Sequence, residues 1–215
     1  MRKEWNDLTV RDLMLIKDID GMQMATDAEK NLRVAALVAD KPYEELLDMP
    51  LNDVTAYIDA CNFLKEAPKP RKAKRHYTIN GRKYKLLKNE FEMLTSQYVD
   101  FQAIYQDGFD KRPAELLSIM MVPDGHEYND GYDKDQVVED MYDMPVEEAI
   151  GVCNFFTGRF VRSIARTRMY YKWIMRWKRL TARKEDKEMW KAMELQLNLV
   201  MDELNSMFGL IAPKQ

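Results

Sequence analysis

The stretch DMPLNDVTAYIDACNF, residues 48–63, returns in degenerate form as DMPVEEAIGVCNF, residues 143–155. Both begin with Asp-Met-Pro and contain Cys-Asn-Phe, and the spacing from Asp to Cys is 13 residues in the first and 10 in the second, a difference of almost one helical turn. Proline is favoured in the first turn of a helix, so each stretch predicts a helix after its proline. We interpret the pair as a degenerate internal duplication of a helical unit.

A second pair of matching signals lies upstream of these stretches. Leu-Thr at 8–9 and at 94–95 each opens an amphipathic pattern that ends at a glycine, Gly21 in the first copy and Gly108 in the second. Asp12 follows Thr9 by three residues, a spacing typical of a capping box. Short amphipathic helices cannot bury their apolar stripes alone and must pack on one another. The sequence therefore predicts two degenerate four-helix units.

A basic linker and a short hairpin are predicted between the two units. The linker, APKPRKAKR at 67–75, is rich in Pro and Lys and is expected to be extended and solvated. Asn80-Gly81 favours a two-residue turn between strands at 77–79 and 84–86. Because an isolated hairpin is marginal in water, we expect it to lean on helices or to pair with strands of a neighbouring copy.

These signals predict a mainly α fold in four segments. The segments are a helical unit at 1–66, the basic linker plus β-hairpin at 67–93, a second helical unit at 94–157, and a basic helical arm with a C-terminal helix at 158–215. The fourth helix of the second unit is expected to begin near Pro145 and to continue to about Lys184. A helix of that length would span roughly 60 Å, so part of it must project or lie along another molecule.

The arm at 158–184, GRFVRSIARTRMYYKWIMRWKRLTARK, holds seven Arg and three Lys with no acidic residue, and aromatic side chains interleave with them. The net charges of segments 1–66, 67–93, 94–157, 158–184 and 185–215 are −6, +7, −11, +10 and −3. The predicted interaction residues are Arg159, Arg162, Arg166, Arg168, Lys172, Trp173, Arg176, Trp177, Arg179 and Arg183.

Charge blocks of alternating sign favour head-to-tail association, in which the basic arm of one copy meets the acidic body of the next. Such a heterologous contact closes into a ring when the rotation allows. Two other interpretations stay open: a nucleic-acid-binding arm, which the acidic body opposes, and a solvated basic helix face. A membrane-surface role is the least favoured.

The composition indicates a globular protein without a recognisable catalytic site. Of the residues, 46% are hydrophobic and 32% charged, and no apolar run approaches the ~20 residues of a membrane span. The stretch MRKEWNDLTV lacks the apolar segment of a signal peptide, so we expect a cytosolic origin. Two Cys make neither a disulfide framework nor a four-ligand metal site. The acidic loop at 124–135 does not match a calcium-binding EF-hand. We therefore predict a non-enzyme with no cofactor and no metal.

Several stretches together carry a family resemblance over roughly residues 5–160. They include DKPYEELLDMPLNDV, YTINGRKYKLL, LTSQYVDFQAI, PDGHEYNDGY and DMPVEEAIGVCNFF. They resemble small helical proteins encoded in the structural-gene regions of tailed bacteriophages and Bacteroidales prophages, including crAss-like phages. The resemblance implies either a tail-assembly chaperone or a component of head-tail connector or tail rings, and it implies no catalytic residues.

The extension past residue 160 departs from this family and favours a protein retained in the particle. We therefore expect a virion structural protein, assembled in the host cytoplasm, whose partners are further copies of itself and other phage structural proteins. A chaperone absent from the mature particle is the first alternative. A nucleic-acid-binding accessory protein is the second, and no membrane partner is expected.

Overall fold

The structure, a computed structural model, describes residues 2, 4–23, 25–88, 92–107 and 111–156. Nearly all of them belong to one compact unit, Met1–Phe155. This part of the chain is mainly helical, with a small three-stranded antiparallel sheet, as the sequence predicted. The continuation of the last helix to Lys184 and the C-terminal helix are predictions that lie outside the described residues.

The helices follow the order that the duplication predicted. In the first half they are a 3-10 turn at Trp5–Asp7, then α1 at Val10–Asp20, α2 at Asp27–Ala39, α3 at Tyr43–Leu47, α4 at Leu51–Ala60 and a second 3-10 turn at Cys61–Lys65. In the second half they are α5 at Thr95–Asp107, α6 at Pro113–Met120, α7 at Lys134–Tyr142 and α8 at 146–156. Asp-Met-Pro separates the third from the fourth helix in each half.

The predicted capping box at the start of α1 is confirmed. The Thr9 side chain accepts from the Asp12 N–H, and the Asp12 carboxylate accepts from the Thr9 N–H at 2.8 Å. The cap of α2 is Thr26, which precedes Asp27 and whose side chain accepts the capping bond from the N–H of Glu29. A hydroxyl and a carboxylate are both good caps, and the neighbouring threonine holds the extended backbone that a cap requires.

The two Asp-Met-Pro turns have nearly the same geometry. Asp48 ends α3 at φ −86° and ψ −3°, and Asp143 ends α7 at φ −89° and ψ 2°. In each turn the methionine N–H donates to the carbonyl three residues earlier, at 3.4 Å in the first and 3.3 Å in the second. Sequence similarity and backbone conformation therefore agree that these turns are equivalent.

The predicted hairpin is confirmed and contacts the helix α7, as one of the two expectations had it, but the third strand of its sheet was not predicted. β1 at His76–Ile79 and β2 at Arg82–Leu86 meet at Asn80-Gly81, where both residues have positive φ, 50° and 76°. A third strand, β3 at Met121–Pro123, pairs with β2 in antiparallel register. The hairpin therefore obtains its extra strand from its own chain and not from a neighbouring copy.

The linker at 67–75 is extended and seven of its nine residues are exposed, as predicted, but its backbone also contacts α8, which was not predicted. Its Arg71 N–H donates to the carbonyl of Glu147 on α8 at 2.9 Å. A Cβ added at Gly151 of the same helix would lie 1.9 Å from the Arg71 carbonyl oxygen. The absence of a side chain at Gly151 is what lets the linker backbone cross α8 at this distance.

The N-terminal segment joins the two halves of the described chain. Leu8, Val38 and Val146 are fully buried in one cluster, which thus contains residues of both halves. Thr9 lies opposite Pro145 in an isolated antiparallel bridge. Two backbone hydrogen bonds of 2.9 Å flank that bridge and tie residues 8–10 to residues 144–146.

Candidate interaction surface

The ten predicted interaction residues, from Arg159 to Arg183, lie outside the described residues. The described part of the chain nevertheless carries charged surfaces of both signs. They divide into a basic block whose ion pairs are internal and an acidic surface without such pairs.

The basic block at 67–93 is neutralised in part by the acidic second half of the same chain. Its ion pairs with α7 and α8 are Lys74–Glu148 at 2.6 Å, Arg82–Asp140 at 2.8 Å and Arg71–Glu147 at 3.4 Å. The cations of these pairs are about half exposed, so each pair contributes little alone. Together they give the +7 block a partner within the chain, which reduces the charge left for contact with another copy.

Asp140 on α7 is the centre of a polar network that joins this helix to the hairpin. It is 1% exposed, and its carboxylate accepts from Arg82 at 2.8 and 2.9 Å, from Asn80 at 3.2 Å and from Gln136 at 3.3 Å. The Tyr84 hydroxyl donates to the same carboxylate. This network fixes β2 and the hairpin turn to α7.

The network also determines the protonation state of its members. Burial alone would raise the pKa of Asp140, but hydrogen bonds from Tyr84, Arg82 and Asn80 outweigh it and lower that pKa. Burial raises the pKa of Tyr84, and its hydrogen bond to Asp140 raises it further. At neutral pH Asp140 is therefore an anion that pairs with the Arg82 guanidinium and accepts a hydrogen bond from the neutral Tyr84 hydroxyl.

The exposed side of α3 and α4 combines acidic and apolar side chains, and we call it the α3–α4 surface. Leu47 is 56% exposed and Leu51 is 79% exposed. Four exposed carboxylates accompany them and form no ion pair with another described residue: Glu44, Asp48, Asp53 and Asp59. A surface of this kind suits a partner that is basic and carries large apolar side chains.

The groups that might have carried chemistry are dispersed. His126 lies 3.6 Å from Asp130 in the exposed loop before α7. Cys61 and Cys153 are free thiols, and burial raises the pKa of both. Within the described residues no group of three or more His, Cys, Asp or Glu side chains is placed to hold a metal ion.

Comparisons of the chain with family models, curated proteins and solved structures found no match. Among the described helices, none is both long enough and apolar enough to cross a membrane.

Sequence reasoning missed the Asp140 network, although the sequence contains a signal for it. Asp140 stands between Val137 and Met141, both buried on the apolar stripe of α7. Arg82 and Tyr84 are two residues apart on β2, so their side chains lie on the same face of the strand. A buried carboxylate within an apolar stripe needs hydrogen-bond donors, and in the structure the hairpin supplies them.

Proposed function

We propose that this chain is a non-enzymatic structural protein of a tailed-phage particle, most consistent with a ring component of the head-tail connector or tail. Copies would assemble when the basic residues of 158–184 in one copy contact the acidic body of the next. The proposal is supported by the resemblance of residues 5–160 to small phage structural and assembly proteins, and by the separation of charge along the chain.

One observation carries the protein-protein form of this proposal. The α3–α4 surface holds acidic and apolar side chains together, and none of its four carboxylates forms a salt bridge with a described residue. A nucleic acid would be repelled by these carboxylates, whereas a segment rich in Arg complements their charge.

The experiment is native mass spectrometry of the full chain at low and high salt. We expect oligomers at low salt, with a marked loss of association when Glu44 and Asp59 are both changed to Lys. Changing Arg176 and Arg179 to Glu should also weaken association, and mixing the two variants should restore it in part. Monomers at every concentration and salt level would refute assembly through charge.

Two further measurements separate the alternatives. Proteomics of purified virions distinguishes a retained ring component from a tail-assembly chaperone, which would be absent from the particle. Gel retardation of DNA that is sensitive to salt and is lost when Arg162, Arg166, Arg176 and Arg179 are changed to Glu would favour the nucleic-acid-binding alternative.

A further inference from the structure

The duplication supplies two copies of an interface, and the described residues fill only one of them. The filled pair consists of the N-terminal edge at 8–10 and the turn at 144–146, joined by two backbone hydrogen bonds of 2.9 Å. Leu8 and Val146, one from each side, are both fully buried there. An occupied edge and turn therefore share two backbone hydrogen bonds and bury one apolar side chain from each side.

The second turn, at 49–51, has the geometry of the filled turn at 144–146. Both follow a helix that ends at an aspartate with nearly the same backbone angles. In both, the proline carbonyl accepts from the N–H four residues later, at 3.2 Å in the first turn and 2.9 Å in the second. The turn at 49–51 therefore shares the preceding aspartate and the flanking hydrogen bonds of the turn at 144–146.

The second edge, at 93–95, has the geometry of the filled edge at 8–10. Leu94 and Thr9 each precede a helix, and each donates its N–H to the side chain three residues later, Gln97 at 3.3 Å and Asp12 at 2.8 Å. Each also accepts at its carbonyl from the N–H four residues later, at 2.9 and 3.0 Å. By these hydrogen bonds Leu94 is the structural counterpart of Thr9. The Leu-Thr repeat in the sequence instead aligns Leu94 with Leu8, one residue earlier.

Neither member of this second pair is occupied in the described structure. Leu51 is 79% exposed, whereas its counterpart Val146 is fully buried. No backbone partner is present among the described residues for the Leu51 N–H or the Met49 carbonyl. Of the seven large hydrophobic side chains that are exposed in the described part of the chain, five adjoin the second turn or the second edge: Leu47, Leu51, Leu94, Tyr98 and Val99.

We propose that the edge at 93–95 of one copy occupies the turn at 49–51 of the next copy, repeating between chains the pairing that 8–10 and 144–146 make within one. The Thr95 N–H then donates to the Met49 carbonyl of the neighbour, and the neighbour's Leu51 N–H donates to the Met93 carbonyl. The occupant is a second copy of this chain because the chain itself supplies both shapes and no described residue fills either of them.

The contact is heterologous, since the edge and the turn are different surfaces, and each added copy leaves one of each free. This inference rests on the proposed homo-oligomeric function but invokes a different force. Backbone pairing and apolar burial persist in high salt, whereas contacts between the basic residues of 158–184 and the acidic body are screened. High salt therefore isolates the edge-to-turn contact.

The test uses sedimentation velocity of the full chain in high salt. Leu51→Glu disrupts the turn, and Thr95→Pro removes the donor of the edge at a first helical position, where proline is tolerated. We expect at least a tenfold weakening of association for either variant alone. An equimolar mixture should form a 1:1 dimer that does not grow, because each variant keeps one intact surface. Leu15→Glu, on an exposed side chain outside both surfaces, is the matched control and should associate like the wild type.

A cysteine pair tests the same register without relying on those variants. Thr9 and Pro145 are opposite each other in the filled bridge, so Leu94→Cys and Pro50→Cys should form a disulfide-linked dimer when mixed. Wild-type monomers in high salt, variants that assemble like the wild type, or a mixture that stays monomeric and uncrosslinked would each overturn the proposal. Association that occurs only in low salt would overturn it too, while leaving charge-driven assembly intact.

Discussion

Removal of the Asp140 carboxylate should destabilise the described unit more than any nearby surface change. In Asp140→Ala the Tyr84 hydroxyl loses its acceptor in a buried position, which costs about 1–3 kcal/mol. Breaking a buried ion pair by deleting one partner costs about 3–5 kcal/mol, and this upper range is reduced here because Arg82 is half exposed and regains water. We therefore expect a loss of about 2–4 kcal/mol.

The assay is equilibrium urea unfolding followed by circular dichroism. With a urea dependence of about 1–3 kcal/mol per molar, the expected loss moves the midpoint down by about 1–2 M. Glu139→Ala is the matched control, because Glu139 is the adjacent acidic residue on α7 and its pair with Arg11 lies at the surface, with side chains 59% and 46% exposed. A surface pair of this kind contributes about 0–1 kcal/mol.

If Asp140→Ala and Glu139→Ala shifted the urea midpoint equally, the Asp140 carboxylate would not stabilise the fold more than a surface carboxylate does. Equal shifts would mean that the hairpin is held to α7 by apolar packing alone. A second check is Tyr84→Phe, which keeps the ring and removes only the hydroxyl. It should cost about 1–2 kcal/mol in the wild type and much less in Asp140→Ala, because the two groups share one interaction.

Three other predictions concern pH, the linker crossing and the core. Because the folded-state pKa of Asp140 is lowered, its stabilisation is complete above the unfolded value of about 3.9 and is lost as pH falls through the folded pKa. Urea midpoints measured from pH 7 to pH 3 should fall less steeply for Asp140→Asn, and identical slopes would contradict this. Gly151→Ala should lower the melting temperature because the added Cβ would clash with the Arg71 backbone, although alanine favours a helix over glycine by about 1 kcal/mol. Gly131→Ala is the control, since a Cβ at Gly131 meets no other atom within 4 Å. A higher melting temperature for Gly151→Ala would contradict the close crossing of the linker over α8. Leu8→Ala should cost about 2–5 kcal/mol in thermal unfolding, and a neutral effect would show that the cluster uniting both halves is not a true core.

Local sequence signals predicted the local structure well. The box at Thr9 and Asp12 fixed the start of α1, and Asn80-Gly81 fixed the hairpin, because each signal acts through neighbours in the chain. The duplicated Asp-Met-Pro predicted the order of helices in both halves. These predictions needed no knowledge of which elements meet in space.

The errors arose where distant segments meet. β3 has three residues, Met121–Pro123, which is too short for any alternation to reveal a strand. The linker is exposed over most of its length, as its Pro and Lys content predicted, but its contact with α8 at Gly151, some 80 residues after Arg71, was not predicted. No local pattern links these positions, so only the three-dimensional packing identifies them.

Charge and backbone pairing would contribute differently to an assembly of this chain. Opposite charges attract over about a Debye length and tolerate many orientations, so they speed encounter without fixing an angle between copies. Part of that charge is already used, since Arg71, Lys74 and Arg82 pair within the chain. An edge that donates and accepts backbone hydrogen bonds has one register, so the 93–95 to 49–51 contact would set the rotation from one copy to the next. Whether copies close into a ring or continue as a filament then depends on that rotation, while salt governs only how readily they meet.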